Sequence, residues 1–159
     1  MIREYVRRSE YHPDMEMLRE LLSNVTDEQK LDILQQTKDV LGKTALHFAA
    51  YRGDAEMITT ILSSNQSSER LKLLMMSDYR ECTPLHEAAS EDRTESVKAI
   101  LDSLTADQLM QLLTAEHRYD KRAVEMASGE TADVLSEYKN RAIEKASPGE
   151  FIPLNSHVL

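Results

Sequence analysis

Apolar residues in this chain fall at helical spacing, stop at a turn and resume, and the whole pattern returns every 39 to 40 residues. Leu46, Ala49 and Ala50 stand at i, i+3 and i+4, so one face of a short helix carries small or aliphatic groups that admit a close neighbour. Gly53 then supplies the positive φ that ends a helix without steric cost. Met57, Ile58, Ile61 and Leu62 predict a second, longer helix. The connections have start signals of their own. Thr26 with Gln29 and Thr105 with Gln108 read as capping boxes ahead of the apolar runs at Leu31, Ile33, Leu34 and at Leu109, Leu112, Leu113. Ser68 ahead of Leu71, Leu73 and Leu74 is a weaker version. A short extra helix is therefore expected in each connection.

Residue identity repeats along with hydropathy. Thr44-Ala45-Leu46-His47-Phe48-Ala49-Ala50 aligns with Thr83-Pro84-Leu85-His86-Glu87-Ala88-Ala89 at an offset of 39. A weakened third copy follows at Arg122-Ala123-Val124-Glu125-Met126-Ala127-Ser128. Glu56, Ile61, Leu62 and Ser64 recur as Glu95, Ile100, Leu101 and Ser103, and Asp14, Glu16, Met17, Leu22 and Ser23 anticipate Asp54, Glu56, Met57, Leu62 and Ser63. Such self-similarity predicts four stacked units at about residues 1–25, 39–64, 78–103 and 117–146, the outer two divergent.

The two Thr-x-Leu-His-x-Ala-Ala blocks, with Gly42 two residues before the first, resemble the ankyrin repeat signature. About residues 39–103 carry it, and the outer units resemble the degenerate caps that keep such arrays soluble. The resemblance implies an all-α solenoid over residues 1–146, followed by a tail at 147–159. It also implies a right-handed stack of helix pairs with projecting turns, a concave face of turns and first helices, and non-catalytic protein–protein binding as an interaction module or adaptor. Several residues depart from the pattern. The repeat exceeds the family's roughly 33 residues, in keeping with the extra helices. Asp92 stands where Gly53 stands, Glu81 replaces Gly42 and so counts against a tight turn there, and the last unit is two residues short after Gly129.

Charge narrows the partner. A formal charge of −9 opposes binding to a phosphate backbone, which relies on clustered Lys and Arg. The charges are interspersed, as at Glu4, Arg7, Arg8 and Glu10, which marks solvated helical faces. Uncharged stretches such as 57–68 are polar and far short of the roughly 20 apolar residues that span a bilayer. With charges at Arg3 and Glu4 in place of a signal peptide's apolar run, and Cys82 the only cysteine, the expected compartment is the cytoplasm or nucleus. A protein partner, no nucleic acid, no membrane insertion and no cofactor are expected.

A catalytic or metal-dependent protein using its His and acidic residues is the alternative reading, and the residues favour structural roles. His47 and His86 recur at one repeat position, and in the family that side chain bonds the neighbouring turn; no cysteine or second histidine stands at metal spacing beside either. Glu87, Glu91, Asp92 and Glu95 scatter around a helix, at most Glu87 and Glu91 sharing a face, and read as a solvated edge or a contact for a basic partner. Cys82 is expected to be a partly exposed thiol without a base. No catalytic or metal-ligating residue is assigned.

The partner-binding positions are instead the outward ones of the family pattern. These are Val40, Leu41, Lys43, Tyr51 and Arg52 in the second unit, Tyr79, Arg80, Cys82, Ser90 and Glu91 in the third, and Arg118, Tyr119 and Lys121 in the fourth. Tyr and Arg dominate interface energies, so Tyr79, Arg80 and Tyr119 are the expected anchors, unless the tyrosines pack on the connecting helices. A detached regulatory domain of a larger protein is a further reading. The tail turns at Pro148-Gly149 and runs through Phe151-Ile152-Pro153-Leu154; it could cover the end of the stack, bind a partner or serve as a linker.

Overall fold

A computed structural model describes residues 15–36, 38–63, 67–115 and 122–146. Of the expected partner-binding positions, Arg118, Tyr119 and Lys121 lie outside the described residues, as does the tail. The described helices, in chain order, are α1 (Met15–Ser23), α2 (Asp27–Gln36), α3 (Ala45–Arg52), α4 (Ala55–Leu62), α5 (Ser67–Met75), α6 (Pro84–Ser90), α7 (Thr94–Asp102), α8 (Ala106–Leu113), α9 (Ala123–Met126) and α10 (Gly129–Ala146). Among the described residues no strand occurs, and no helix is long and apolar enough to cross a membrane.

Each repeated segment packs on its own copy. First helices α3, α6 and α9 contact in series, second helices α1, α4, α7 and α10 form another file, and the connecting helices α2, α5 and α8 a third. The small residues explain the closeness of the first file: Ala49, Ala50, Ala88 and Ala89 are all fully buried. Leu46 and Leu85 occupy equivalent buried sites, with Met57, Ile58, Ile61, Ile100 and Leu101 behind them.

All three expected connecting helices are present. Thr26 and Gln29 exchange reciprocal side-chain-to-backbone bonds at the start of α2, and Thr105 and Gln108 do so at α8. Ser68 differs from expectation, because α5 already begins at Ser67 and Ser68 lies inside its first turn. The second helix is not always the longer: α3 and α4 have eight residues each, whereas α10 has 18 against four in α9.

Glu81 does not abolish the turn. Gly42 has φ 78° and Glu81 has φ 63°, and each donates its amide to the aspartate three residues earlier, Asp39 and Asp78, at 3.0 Å. A left-handed non-glycine residue costs roughly 1–2 kcal/mol. The Asp78 carboxylate offsets this by accepting from the amides of Arg80 and Cys82 at 2.8 and 2.9 Å, as Asp39 does for Leu41 and Lys43. Asp92, at φ 51°, likewise compensates: its carboxylate takes the Ser128 amide at 2.7 Å and hydroxyl at 2.5 Å, tying the last helix pair to the one before.

Candidate protein-binding surface

The surface is organised by two buried histidines. Thr44 caps α3, and its amide donates to His47 Nδ1 at 3.1 Å. An amide can only donate, so Nδ1 must accept; the proton then sits on Nε2, 2.8 Å from the Cys82 carbonyl, which can only accept. His47 is wholly buried, and burial holds its pKa below the usual 6.5, so the ring is neutral and serves as a strut between adjacent turns. Thr83 and His86 repeat the cap at α6, with the amide 3.2 Å from Nδ1. His47 thus has the structural role that the resemblance implied, a bond to the neighbouring turn, and His86 repeats its capping contact.

The His47 strut holds two turn tips side by side. Tyr79 donates its amide to the Leu41 carbonyl at 3.0 Å, and its ring lies over Gly42 so closely that a Cβ there would meet Tyr79 Cδ1 at 2.9 Å. Tyr79 remains 70% exposed, beside Val40 at 62% and Leu41 at 54%. The tyrosine therefore does not pack on a connecting helix; its support is the neighbouring tip. Leu41 and Tyr79 meet across two neighbouring tips, so these apolar groups stand together rather than singly.

Inward of the tips the first helices frame an open hollow of about 370 Å³. Six expected partner-binding residues line it: Lys43, Tyr51, Arg80, Cys82, Ser90 and Glu91, joined by Met126 from α9. Arg52 stands apart, in a second hollow with Arg93 and Glu130. Val40, Leu41 and Tyr79 form the outer rim rather than the lining.

Two expectations about this wall are corrected. Cys82 is buried rather than partly exposed, because the Asp78 turn draws its amide inward. Burial, followed by the charges of Asp78 and Glu87, pushes its pKa up to about 11, so near neutral pH it stays a protonated thiol and a poor nucleophile. Glu87 is likewise no solvated edge. It is buried and pairs with Lys43 Nζ at 2.8 Å, while the Arg80 guanidinium stands 3.5 Å away. Lys43 is consequently spent on an internal contact and also lies 5.9 Å from the Tyr51 ring centroid. Asp78, Cys82 and Glu87 bring potential ligand atoms within 4.8 Å of one another, a grouping invisible in the sequence. Lys43 and Arg80 supply the positive charge there, Arg80 standing 3.6 Å from Asp78.

A family model described as ankyrin repeats in three copies matches residues 9–112. Its match ends before the weak final copy, where α9 has shrunk to four residues. A similar protein is the "Putative E3 ubiquitin-protein ligase XBAT31" of Arabidopsis thaliana, 40% identical over 67 residues, covering 38% of this chain. The chain spans only about 15% of that relative's length. The histidine caps, the left-handed turns and the stacked helix pairs thus recur in a chain most of whose length fits one repeat model, and it belongs to the ankyrin repeat family.

Proposed function

We propose that this protein is a non-catalytic interaction module, or adaptor, that holds a protein partner across its turn tips and the adjoining face of first helices. The exposed row of Val40, Leu41 and Tyr79 is the observation that carries the reading. These side chains project from rigid, hydrogen-bonded turns, so ordering them on binding costs little entropy. Arg80, half of whose side chain is exposed, adds a polar anchor beside Tyr79. Placement in the cytoplasm or nucleus fits a lone free thiol. A module that presents a protein to a modifying domain elsewhere is a second reading, favoured by the short match to a relative named as a putative ubiquitin ligase.

The test is affinity capture with the immobilised full chain, followed by titration of the captured protein. Tyr79→Ala is expected to weaken binding by about 2 kcal/mol, as loss of an anchor does, with Tm nearly unchanged. Lys98→Ala, whose ammonium contacts Glu95 and Glu130 on the second-helix file, is the matched control and should bind as wild type. A Tyr79→Ala variant that binds normally yet melts earlier refutes the assignment.

A further inference from the structure

Asp78, Cys82 and Glu87 are all buried, and each offers a ligand atom within 4.8 Å of the other two. Stacking of the repeat accounts only for the first. One unit earlier, Asp39 makes the same pair of turn bonds as Asp78, but Lys43 and Phe48 stand where Cys82 and Glu87 stand. The repeat therefore demands neither a thiol nor a second carboxylate at these places. Asp78 Oδ1 takes two amides, at 2.8 and 2.9 Å. Its Oδ2 is wholly buried and accepts no hydrogen bond among the described residues. The nearest cation given to it, the Arg80 guanidinium at 3.6 Å, is beyond hydrogen-bond reach and more than half exposed. Burying a charged oxygen without a close partner is costly, and an added cation removes that cost.

A thiol with two carboxylates suits a borderline-soft divalent ion of the zinc class, whereas calcium and magnesium take oxygen ligands. Zinc–sulfur and zinc–oxygen bonds of about 2.3 and 2.1 Å set tetrahedral ligands roughly 3.5 Å apart. From the 4.8 Å found here, each pair closes by at most about 1.3 Å. Glu87 can supply that movement, since its carboxylate ends a flexible stem on α6, while the Asp78 turn pins Cys82 by its amide. We propose that Asp78 Oδ2, Cys82 Sγ and a Glu87 carboxylate oxygen bind one zinc-class divalent ion, with water from the adjoining hollow as fourth ligand. That hollow, about 370 Å³ and lined by Cys82 and Glu87, is the entry path. As the metal–sulfur bond forms, the S–H bond breaks and its proton passes to solvent. Three anionic ligands and a divalent ion leave one negative charge, which Lys43, 2.8 Å from Glu87, balances. Arg80 is then released to solvent.

Two titrations of the full chain test this. Zinc binding is read by competition with a chromophoric chelator, and cadmium binding by the ultraviolet charge-transfer band of a cadmium–thiolate bond. Wild type is expected to bind one ion per chain and to show the band, and magnesium should not displace the ion. Cys82→Ser should abolish the band and weaken zinc binding at least about 100-fold, because even changes behind the ligands cost about 10- to 100-fold. Glu87→Gln keeps the side chain's shape and should weaken zinc binding as much. Circular dichroism checks that both variants keep their helices. A wild-type chain that shows no band overturns the proposal without recourse to any variant. Zinc affinity in folded Cys82→Ser within about threefold of wild type overturns it too, being the mark of adventitious binding elsewhere on the chain.

Discussion

Replacing His47 with alanine measures how firmly one unit is tied to the next. The ring is wholly buried and holds the Thr44 amide, the Thr44 hydroxyl and the Cys82 carbonyl at once, at 3.1, 2.9 and 2.8 Å. Truncation strands the amide and the carbonyl, each at about 1–3 kcal/mol, and the missing ring leaves a void that adds to the sum. A loss near 4 kcal/mol is expected, a large part of the roughly 5–15 kcal/mol that holds a domain folded. Urea denaturation at pH 7.5 reads it directly. A second arm uses pH. Because burial depresses the His47 pKa below 6.5, the unfolded chain takes up that proton first as pH falls. The stability that the neutral ring contributes is therefore complete above about pH 6.5 and drains away below it, by at most about 1.4 kcal/mol per pH unit. Wild type should lose more stability between pH 7.5 and 5.5 than His47→Ala does. A variant within 1 kcal/mol of wild type, or one with the same pH slope, refutes the strut, on the scale of about 1 kcal/mol for one ordinary hydrogen bond.

Three other outcomes follow from the same geometry. Leu46→Ala and Leu85→Ala, at equivalent buried sites, should each lower stability by about 2–5 kcal/mol in urea titrations, and unmoved midpoints would contradict the stacking. Glu87→Ala strands the Lys43 ammonium, whose side chain is 14% exposed, and should cost about 3 kcal/mol by thermal melting; Glu87→Ala paired with Lys43→Met should recover most of it. Cys82 should react with a thiol reagent at least about 100 times more slowly than the urea-unfolded chain, since it is buried and protonated, and labelling at the unfolded rate would show an open turn.

Much of the architecture is local and therefore legible in the residues. Capping boxes act across three positions, so Thr26 with Gln29 and Thr105 with Gln108 could be read directly. The i, i+3, i+4 spacing of Leu46, Ala49 and Ala50 fixed the buried face of α3, and Gly53 its end at φ 78°. The repeated histidine declared a structural job by recurring in phase. The candidate surface was legible only in part: Val40, Leu41 and Tyr79 do project from the tips, while Lys43 and Cys82, assigned to the same surface by the same pattern, turn inward.

What the sequence determined by itself is the period, the helices and the family, because each rests on contacts within a few residues or on identity between copies. The tertiary structure decided what happens between copies, where partners are 35 to 44 positions apart. Lys43 meets Glu87, His47 meets the Cys82 carbonyl, and Tyr79 rests on Gly42 only once the turns are stacked.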